Sequence, residues 1–524
     1  MGKENKKLIP GDIDALVFDL DGVITQTRKT HKKAWKKMFD HFLDEAGHSG
    51  EFSEQDYAAY VDGKPRYEGV RSFLSSRGIE LPFGEENDPP GHETVCAIGN
   101  RKNYLFNRLI RDEGVEVYDD AVEKIKTWKR AGIKTAIVSS SRNCRTILEK
   151  TGIADLFEVR VDGAVSAERG LKGKPDPDIF IEAARELDAR PERSIVFEDA
   201  VSGTQAGQKG FFGLVVGVAR FGNSDELLKN GADICIPDFK GFDLFGDKDI
   251  ADFLSYTKPM VFSESTDIFD RLSKKEPVFF LDYDGTLTPI VSRPEDAVLS
   301  DGMRDTLSEL SELFSVSVVT GRDLEDVRNF IRLDNIIYSG SHGYITRGPD
   351  GLEMEHEKSG EIMELMDKVE KDLHDLIEGK AEGVTIDRKR YAIAVHYRNA
   401  SENEVPYVFK VVDKMLEKHS GLKTGEGKML VEIKPDIDWH KGKAVMWIYK
   451  KLGFSEQSGI IPVFIGDDVT DEDAFRVLKG RGIGILVENH GQDTLADYSL
   501  KNVFQVQEFF SKLIGIYKNK KANN

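Results

Sequence analysis

Short apolar runs of strand length recur along the chain, and two of them end in the same acidic pattern. Residues 15–25 read ALVFDLDGVIT and residues 278–288 read VFFLDYDGTLT, so both runs lead into DxDG. Other stretches repeat apolar residues every three or four positions, which is typical of helices packed on one face. This patterning predicts alternating strands and helices in both halves of the chain.

Three further features follow each DxDG run in the same order, so the two halves repeat each other. A second apolar run ends in a hydroxyl residue, a lysine opens a helix-like stretch, and a third apolar run ends in acidic residues. These features are Ser139, Lys174, Glu198 and Asp199 in the first half and Thr320, Lys441, Asp467, Asp468 and Asp471 in the second. The pattern predicts an α/β protein with two doubly wound, Rossmann-like parallel sheets, which bind ligands at the carboxyl ends of their strands.

Each half carries one large insertion, at a different place. The separation from the first aspartate to the hydroxyl residue is 120 positions between Asp19 and Ser139 but 38 between Asp282 and Thr320. The first insertion, about residues 28–112, contains apolar residues at helical spacing that would form one buried face, and this predicts an all-helical cap. That face is Trp35, Met38, Phe39 and Phe42.

The second insertion, about residues 345–436, combines the strand-like RYAIAVHYR with a helix and predicts an α/β cap. The apolar face predicted for that helix is Val405, Val408, Phe409, Val412, Met415 and Leu416. Because 524 residues exceed what one core usually supports, we predict two domains, residues 1–257 and 258–524.

Composition narrows the class of protein. The formal net charge of -19 disfavours nucleic acid as a partner. The sequence has neither a signal peptide pattern nor 18 consecutive apolar residues, so no membrane association is predicted. Its three cysteines, Cys96, Cys144 and Cys235, form no zinc-binding spacing or disulfide framework, and a reducing cytoplasm is the expected location. The sequence does not indicate whether the protein is a monomer or an oligomer.

Two aspartates two positions apart at the end of a strand can divide the work of phosphoryl transfer. The first attacks phosphorus and the second handles the proton of the leaving group, which predicts Asp19 and Asp282 as nucleophiles and Asp21 and Asp284 as acid/bases. Ser139 or Thr320 would bind a phosphoryl oxygen, and Lys174 or Lys441 would offset negative charge. DxDG alone is also common in turns, but it recurs here in the same context twice.

An anionic carboxylate needs a cation to approach an anionic phosphate, so we predict Mg²⁺ as cofactor and small phosphorylated molecules as ligands. The predicted metal ligands are Asp19, Asp21, Glu198 and Asp199 in the first half and Asp282, Asp284, Asp467 and Asp471 in the second.

These landmarks resemble the haloacid dehalogenase superfamily over nearly the whole chain. The first half is similar to the β-phosphoglucomutases through FDLDGVIT, Thr27, His31, Arg66, VSSSRN, GKPDPDIF and FEDA. The resemblance implies interconversion of glucose 1-phosphate and glucose 6-phosphate, with Arg66 holding a second phosphate. His31 either contacts substrate or lies on the solvated surface.

The second half resembles the trehalose-6-phosphate phosphatases through LDYDGTLTPI, VVTGRD, SGSHGY, AVHYR, MLVEIKP, WHKGKA and IGDDVTDEDAF. By this similarity Asp282 is the nucleophile, Asp284 the acid/base and Asp467 a metal ligand. The resemblance also implies a set of residues that contact phosphate or disaccharide. They are Arg322, His342, Arg398, Lys428 and Glu432.

Two departures leave the first half open. Gln26 stands where the β-phosphoglucomutases often have an acid, and the segment from Gly78 to Asn103 is longer than that family predicts. The first half is therefore a mutase, a plain phosphatase or a regulatory module without turnover. For the second half, another phosphorylated glucoside is the alternative substrate.

Overall fold

The structure is a computed structural model. It describes residues 9–48, 50–61, 64, 66–246, 258–263, 266–291, 293–357, 359–401, 403–427, 429–455, 459–488 and 492–523. The chain divides into two compact units, Met1–Ser255 and Tyr256–Asn524. Each unit contains one large, mainly parallel sheet, which confirms the predicted pair of doubly wound cores.

The first unit is built on a six-stranded parallel sheet with the order β3-β2-β1-β4-β5-β6. Its strands are β1 (Ala15–Asp19), β2 (Lys134–Val138), β3 (Val159–Val161), β4 (Ser194–Glu198), β5 (Leu214–Val218) and β6 (Ile234–Ile236). Alternate residues of β1 enter separate apolar clusters, Leu16 and Phe18 in one and Ala15 and Val17 in the other. Burial on both faces explains why the strand reads as a continuous apolar run.

Helices cover this sheet and form the cap of the first unit. They are α1 (Thr27–Glu45), α2 (Glu54–Asp56), α3 (Arg66–Ser76), α4 (Val95–Glu113), α5 (Asp119–Arg130), α6 (Cys144–Thr151), α7 (Gly163–Arg169), α8 (Asp178–Glu186), α9 (Val201–Lys209) and α10 (Ser224–Lys229). The cap comprises α1 to α4 and has its own apolar cluster, which contains the four predicted residues of α1. The predicted helical face of α1 is thus confirmed.

The second unit is built on an eight-stranded sheet with the order β11-β10-β9-β8-β7-β16-β17-β18. Its strands are β7 (Glu276–Leu281), β8 (Val316–Val319), β9 (Ile337–Gly340), β10 (Ile345–Arg347), β11 (Glu353–Glu355), β16 (Ile460–Gly466), β17 (Ile483–Val487) and β18 (Tyr498–Leu500). The strands from β9 to β18 in this order are parallel, whereas β10 and β11 extend the β9 edge in antiparallel pairing.

The helices of the second unit lie on this sheet and in its cap. They are α11 (Ile268–Lys274), α12 (Asp301–Leu313), α13 (Leu324–Ile331), α14 (Ser359–Ile377), α15 (Val405–Lys418), α16 (Lys441–Lys451), α17 (Glu472–Leu478) and α18 (Val503–Asn523). Within the described ranges, no helix combines the length and apolar composition needed to cross a bilayer.

The cap of the second unit is a separate four-stranded antiparallel sheet with α14 and α15. Its strands, in the order β12-β13-β15-β14, are β12 (Thr385–Lys389), β13 (Ala392–His396), β14 (Leu422–Gly427) and β15 (Leu430–Pro435). The predicted cap start near residue 345 is wrong, because β10 and β11 pair with the core sheet and the cap begins with α14. The predicted face of α15 is also partly wrong, since Phe409 is exposed and Val411 is buried instead.

Candidate active sites

The same tight turn follows β1 and β7. In each unit the N–H of the DxDG glycine donates to a threonine carbonyl three residues later, at 2.9 Å and 2.8 Å. Gly22 and Gly285 have φ angles of 91° and 77°. A Cβ would overlap the carboxylate of Asp199 or Asp467. Glycine therefore allows both the left-handed backbone and the close approach of an acid from a neighbouring strand.

In the second unit, a buried lysine lies between two buried carboxylates. Lys441, the first residue of α16, places Nζ 2.8 Å from Asp282 Oδ1 and 2.7 Å from Asp471 Oδ1. Asp467 follows β16, and one oxygen from each of Asp282, Asp467 and Asp471 lies within 4.8 Å of the other two. The structure thus brings together the predicted nucleophile, lysine and two predicted metal ligands.

This cluster has more carboxylates than cations. Burial, and then Asp282 and Asp471, raise the pKa of Asp467 to about 9. Burial also raises the pKa of Asp282 to about 7, although Lys441 opposes this shift. The oxygen donors are of the hard type that Mg²⁺ prefers. The donor set therefore fits a divalent cation, which would relieve the crowding of negative charge.

In the first unit, the corresponding lysine bonds two carboxylates. Lys174 Nζ contacts Asp19 Oδ1 and lies 2.5 Å from Glu198 Oε1. In the part of the chain that the structure describes, no three of the predicted ligands Asp19, Asp21, Glu198 and Asp199 gather as the second unit's acids do.

The second aspartate of each DxDG pattern has a different partner in the two units. The Asp21 carboxylate accepts hydrogen bonds from Thr27 Oγ1 and, at 3.3 Å, from Ser139 Oγ. The Asp284 carboxylate instead accepts from Arg322, with Nε 2.6 Å from Oδ2 and NH2 2.5 Å from Oδ1. Among the described residues, neither Asp21 nor Asp284 belongs to a group of acids that could hold a metal ion, and hydrogen-bond donors engage both carboxylates instead.

Two predicted residues of the second unit lie where the cap faces the core. Glu432 on β15 pairs with Lys389 Nζ at 3.1 Å and Lys434 Nζ at 3.6 Å. Burial alone would raise the pKa of Glu432, but the ammonium groups of Lys389 and Lys434 lower it. His342 packs against Gly321, and burial lowers its pKa to about 3. A neutral imidazole and an ionised carboxylate thus face one another.

The other predicted residues of the second unit have separate positions. Thr320 follows β8, and its Oγ1 accepts the Arg322 N–H at 3.2 Å. Arg398 lies two residues beyond β13 and is exposed. Lys428 lies outside the described residues. The structure therefore links Thr320 to Arg322, the partner of Asp284, and leaves Arg398 exposed on the cap.

In the first unit, the cap presents cationic groups. Lys102 Nζ lies 2.7 Å from His31 Nδ1, and His31 Nε2 is 4.0 Å from Asp21 Oδ1. When Lys102 is charged, its ammonium can only donate, so a neutral His31 then accepts at Nδ1 and carries its proton on Nε2, the nitrogen nearer Asp21. Arg66 NH1 donates to Asn100 Oδ1 at 3.3 Å. His31 is thus placed beside the site, not on the solvated surface.

Lys102 is a site residue that the sequence analysis missed. Burial, and then Arg66, lower its pKa to about 7. Its position could have been recognised, because Ile98, Lys102 and Phe106 occupy one face of α4 at four-residue spacing and all are buried. A lysine on the apolar face of a helix is a signal for function or a buried partner. Lys389 was also missed, because it lies in a charged run that reads as solvated surface.

Comparison with known proteins gives a family for each half. Residues 13–210 match the haloacid dehalogenase-like hydrolases, and residues 280–503 match the trehalose-phosphatases. A β-phosphoglucomutase of Mycobacterium bovis is 45% identical over 239 residues, which cover 44% of this chain and 91% of that protein. A trehalose-phosphate phosphatase of Mycobacterium leprae is 31% identical over 415 residues, covering 75% of this chain and 92% of that protein.

A longer relative spans both halves. An uncharacterized glycosyl hydrolase of Mycobacterium tuberculosis is 36% identical over 511 residues, which cover 95% of this chain. The chain spans 38% of the length of that relative. The tandem arrangement of the two halves therefore also occurs inside a larger protein.

Proposed function

Because the chain belongs to the haloacid dehalogenase-like hydrolases and its second half is a trehalose-phosphatase domain, we propose that this half hydrolyses trehalose 6-phosphate. Supporting this proposal is one observation above all: Asp282, Lys441, Asp467 and Asp471 surround one point at the end of β7. The first half would be a β-phosphoglucomutase-like mutase or phosphatase acting on a sugar phosphate. Small sugar phosphates are thus the proposed partners of both halves.

The proposed reaction has two steps at Asp282. A carboxylate oxygen of Asp282 bonds to phosphorus while the bond from phosphorus to the sugar oxygen breaks, and Asp284 gives that oxygen its proton. Water then attacks the aspartyl phosphate, Asp284 accepts the water proton, and the Asp282 carboxylate is restored. Lys441 remains bonded to Asp282 and offsets its charge, which favours approach of the phosphate.

Mg²⁺ is the proposed cofactor, and Asp282, Asp467 and Asp471 would hold it. When bound, it supplies positive charge that offsets the phosphate and the carboxylates. Arg322 has a separate proposed role. Because its guanidinium engages both oxygens of Asp284, it must release this carboxylate before proton transfer, and the substrate phosphate is a suitable alternative partner.

The first half has features that favour catalysis over a purely regulatory role. Lys174 bonds both Asp19 and Glu198, the side chains of all three are buried, and Asp21 is held by Thr27 and Ser139. The cap adds Lys102 and Arg66 as cations, which suit a ligand with a second phosphate. These groups support phosphoryl transfer on a sugar phosphate in this half.

The experiment is a crossed pair of variants in the full chain, assayed with Mg²⁺. Asp282→Asn should reduce hydrolysis of trehalose 6-phosphate by at least about 10³-fold, because the nucleophile is lost. Asp19→Asn serves as the matched control and should leave that activity unchanged. With β-glucose 1-phosphate as substrate, Asp19→Asn should lose activity and Asp282→Asn should retain it. Phosphate release from trehalose 6-phosphate that survives Asp282→Asn would refute the assignment.

A further inference from the structure

Outside both active sites, the helical cap of the first unit brings two histidines and a glutamate together. His41 and Glu45 lie one turn apart on α1, and His92 lies in the segment that precedes α4. One ligand atom from each lies within 4.8 Å of the other two. Glu45 Oε2 contacts His92 Nδ1 and is 3.3 Å from His41 Nδ1.

The chemistry of this donor set differs from that of the acidic site. Two imidazoles and one carboxylate form a ligand set that zinc and related transition metals accept, whereas Mg²⁺ prefers oxygen ligands alone. His41 and Glu45 are about half exposed, so a metal has a path from solvent. We propose that His41, Glu45 and His92 form a site for a zinc-like divalent metal that fastens the segment before α4 to α1.

The surroundings of His92 are compatible with this proposal. Its Nε2 is buried and has no hydrogen-bond partner within the described part of the chain. Moving the ring proton from Nδ1 to Nε2, as a metal on Nδ1 requires, therefore breaks no bond outside the cluster.

One nearby cation competes with the proposed metal. Arg101 NH2 lies 3.2 Å from His41 Nε2. A metal on His41 Nδ1 places the ring proton on Nε2, so Arg101 must give up this contact. Removing Arg101 should therefore strengthen metal binding, whereas removing a ligand should weaken it. If these residues had only a structural role, there would be no reason for one substitution to strengthen metal binding and the others to weaken it.

Metal binding here would also affect a residue of the first active site. Asn100 Nδ2 donates to the carbonyl oxygens of Glu86 and Asp88 at 3.0 Å and 2.8 Å, and its Oδ1 accepts from Arg66. The segment that carries His92 thus supports the partner of Arg66. A metal at the cluster would hold that segment in place without touching the substrate.

The test is a CoCl₂ titration of the full chain in excess MgCl₂, followed by visible absorption and then by displacement with ZnCl₂. Wild-type protein should bind about one equivalent of Co²⁺ with a band typical of nitrogen ligands. His41→Gln and His92→Gln should each weaken binding at least about tenfold, since even outer-shell changes have effects of that size. Arg101→Gln should tighten binding, and the exposed His48→Gln should have no effect.

A second readout guards against misfolding of a variant. ZnCl₂ should slow amide exchange in residues 83–94 of the wild type and leave exchange there unchanged in His92→Gln. Failure of the wild type to bind Co²⁺ in excess Mg²⁺, or wild-type binding by a His41→Gln/His92→Gln double variant, would overturn the proposal. These results do not depend on either proposed activity, so failure of one leaves the other standing.

Discussion

In the second unit Lys441 lies among three clustered carboxylates, whereas in the first unit Lys174 bonds two. One ammonium cannot balance three carboxylates, so the second site retains an excess of negative charge when no metal is bound. In the first unit, burial and then Glu198 and Asp21 also raise the pKa of Asp19, to about 8 against the opposing effect of Lys174, but among the described residues no third acid oxygen lies close enough to Asp19 and Glu198 to form such a group. The same catalytic framework therefore depends on an added cation to different degrees, and the second site should bind Mg²⁺ more tightly.

The largest effect is expected from Lys441→Met. This change leaves Asp282 and Asp471 buried without their cation, which typically destabilises by about 3–5 kcal/mol and should reduce trehalose 6-phosphate hydrolysis by about 10³-fold. Mg²⁺ should restore part of the lost stability. Urea unfolding would measure this stability, and amide exchange of β7 would assign it to the second unit. Lys443→Met, whose lysine lies at the surface, is the control.

Lys174→Met provides the comparison with the first unit. Its stability loss, followed by amide exchange of β1, should respond less to Mg²⁺, because the described acids of the first site do not bring three oxygens into one close group. If Mg²⁺ stabilised the two variants equally, the group of acids in the second unit would not be the reason for its stronger dependence on a cation.

The next largest effect is expected from Asp467→Asn. Because burial and two neighbouring carboxylates make an ionised Asp467 unfavourable, asparagine should raise stability in EDTA by about 1 kcal/mol or more. The same change should weaken Mg²⁺ binding by about 10- to 100-fold, since it removes a ligand. Calorimetric titration and unfolding in EDTA would measure these opposite effects. A variant that loses both stability and Mg²⁺ affinity would contradict the electrostatic explanation.

The positions of the residues that line both sites could be predicted because strand ends fix them. Asp19, Asp282 and Thr320 follow apolar runs, and parallel strands place such residues at one edge of the sheet. Lys441 opens a helix at that edge, where its ammonium reaches two carboxylates. Local pattern and fold topology are sufficient to predict the positions of such residues, because the backbone determines where each side chain is attached.

Other features depend on contacts that spacing does not encode. Asp284 was predicted as a metal ligand, but Arg322 holds its carboxylate, and a two-residue separation cannot specify side-chain direction. The cap boundary near residue 345 failed because short strands can join either sheet. Lys102 lies outside the apolar pattern because it is charged, although its spacing from Ile98 and Phe106 places it on the buried face of α4.

The two caps present groups of different charge to their sites. In the first cap this group includes Lys102, and its charge can be tested through its pKa. Burial and Arg66 lower its pKa to about 7, while Asp21 opposes this shift. Lys102 is therefore a cation below pH 7 and loses its charge as the pH rises above that value. Sulfate, whose charge is constant in this range, should inhibit β-glucose 1-phosphate conversion up to about tenfold less strongly at pH 8 than at pH 6. In Lys102→Met the inhibition should be weak at both pH values, and a wild-type inhibition constant that stays constant would exclude Lys102 as the cation.

The smallest effect is expected from Glu432→Gln in the cap of the second unit. There the group that faces the core is a carboxylate bonded to Lys389 and Lys434, which suits sugar hydroxyls better than a second phosphate. Glutamine keeps the shape and one acceptor but loses the charge, so one hydrogen bond should weaken by about 1 kcal/mol, equivalent to about fivefold in KM. Glu417→Gln on the exposed face of α15 is the matched control.

The substrate decides what this last change means. With trehalose 6-phosphate, KM should rise while kcat stays close to the wild-type value, because Glu432 lies away from the reacting groups. With p-nitrophenyl phosphate, which has no sugar hydroxyls, both constants should be unchanged. An equal loss on the two substrates would mean that Glu432 acts by positioning His342 or the cap, and the contrast between a phosphate-binding first cap and a hydroxyl-binding second cap would then fail.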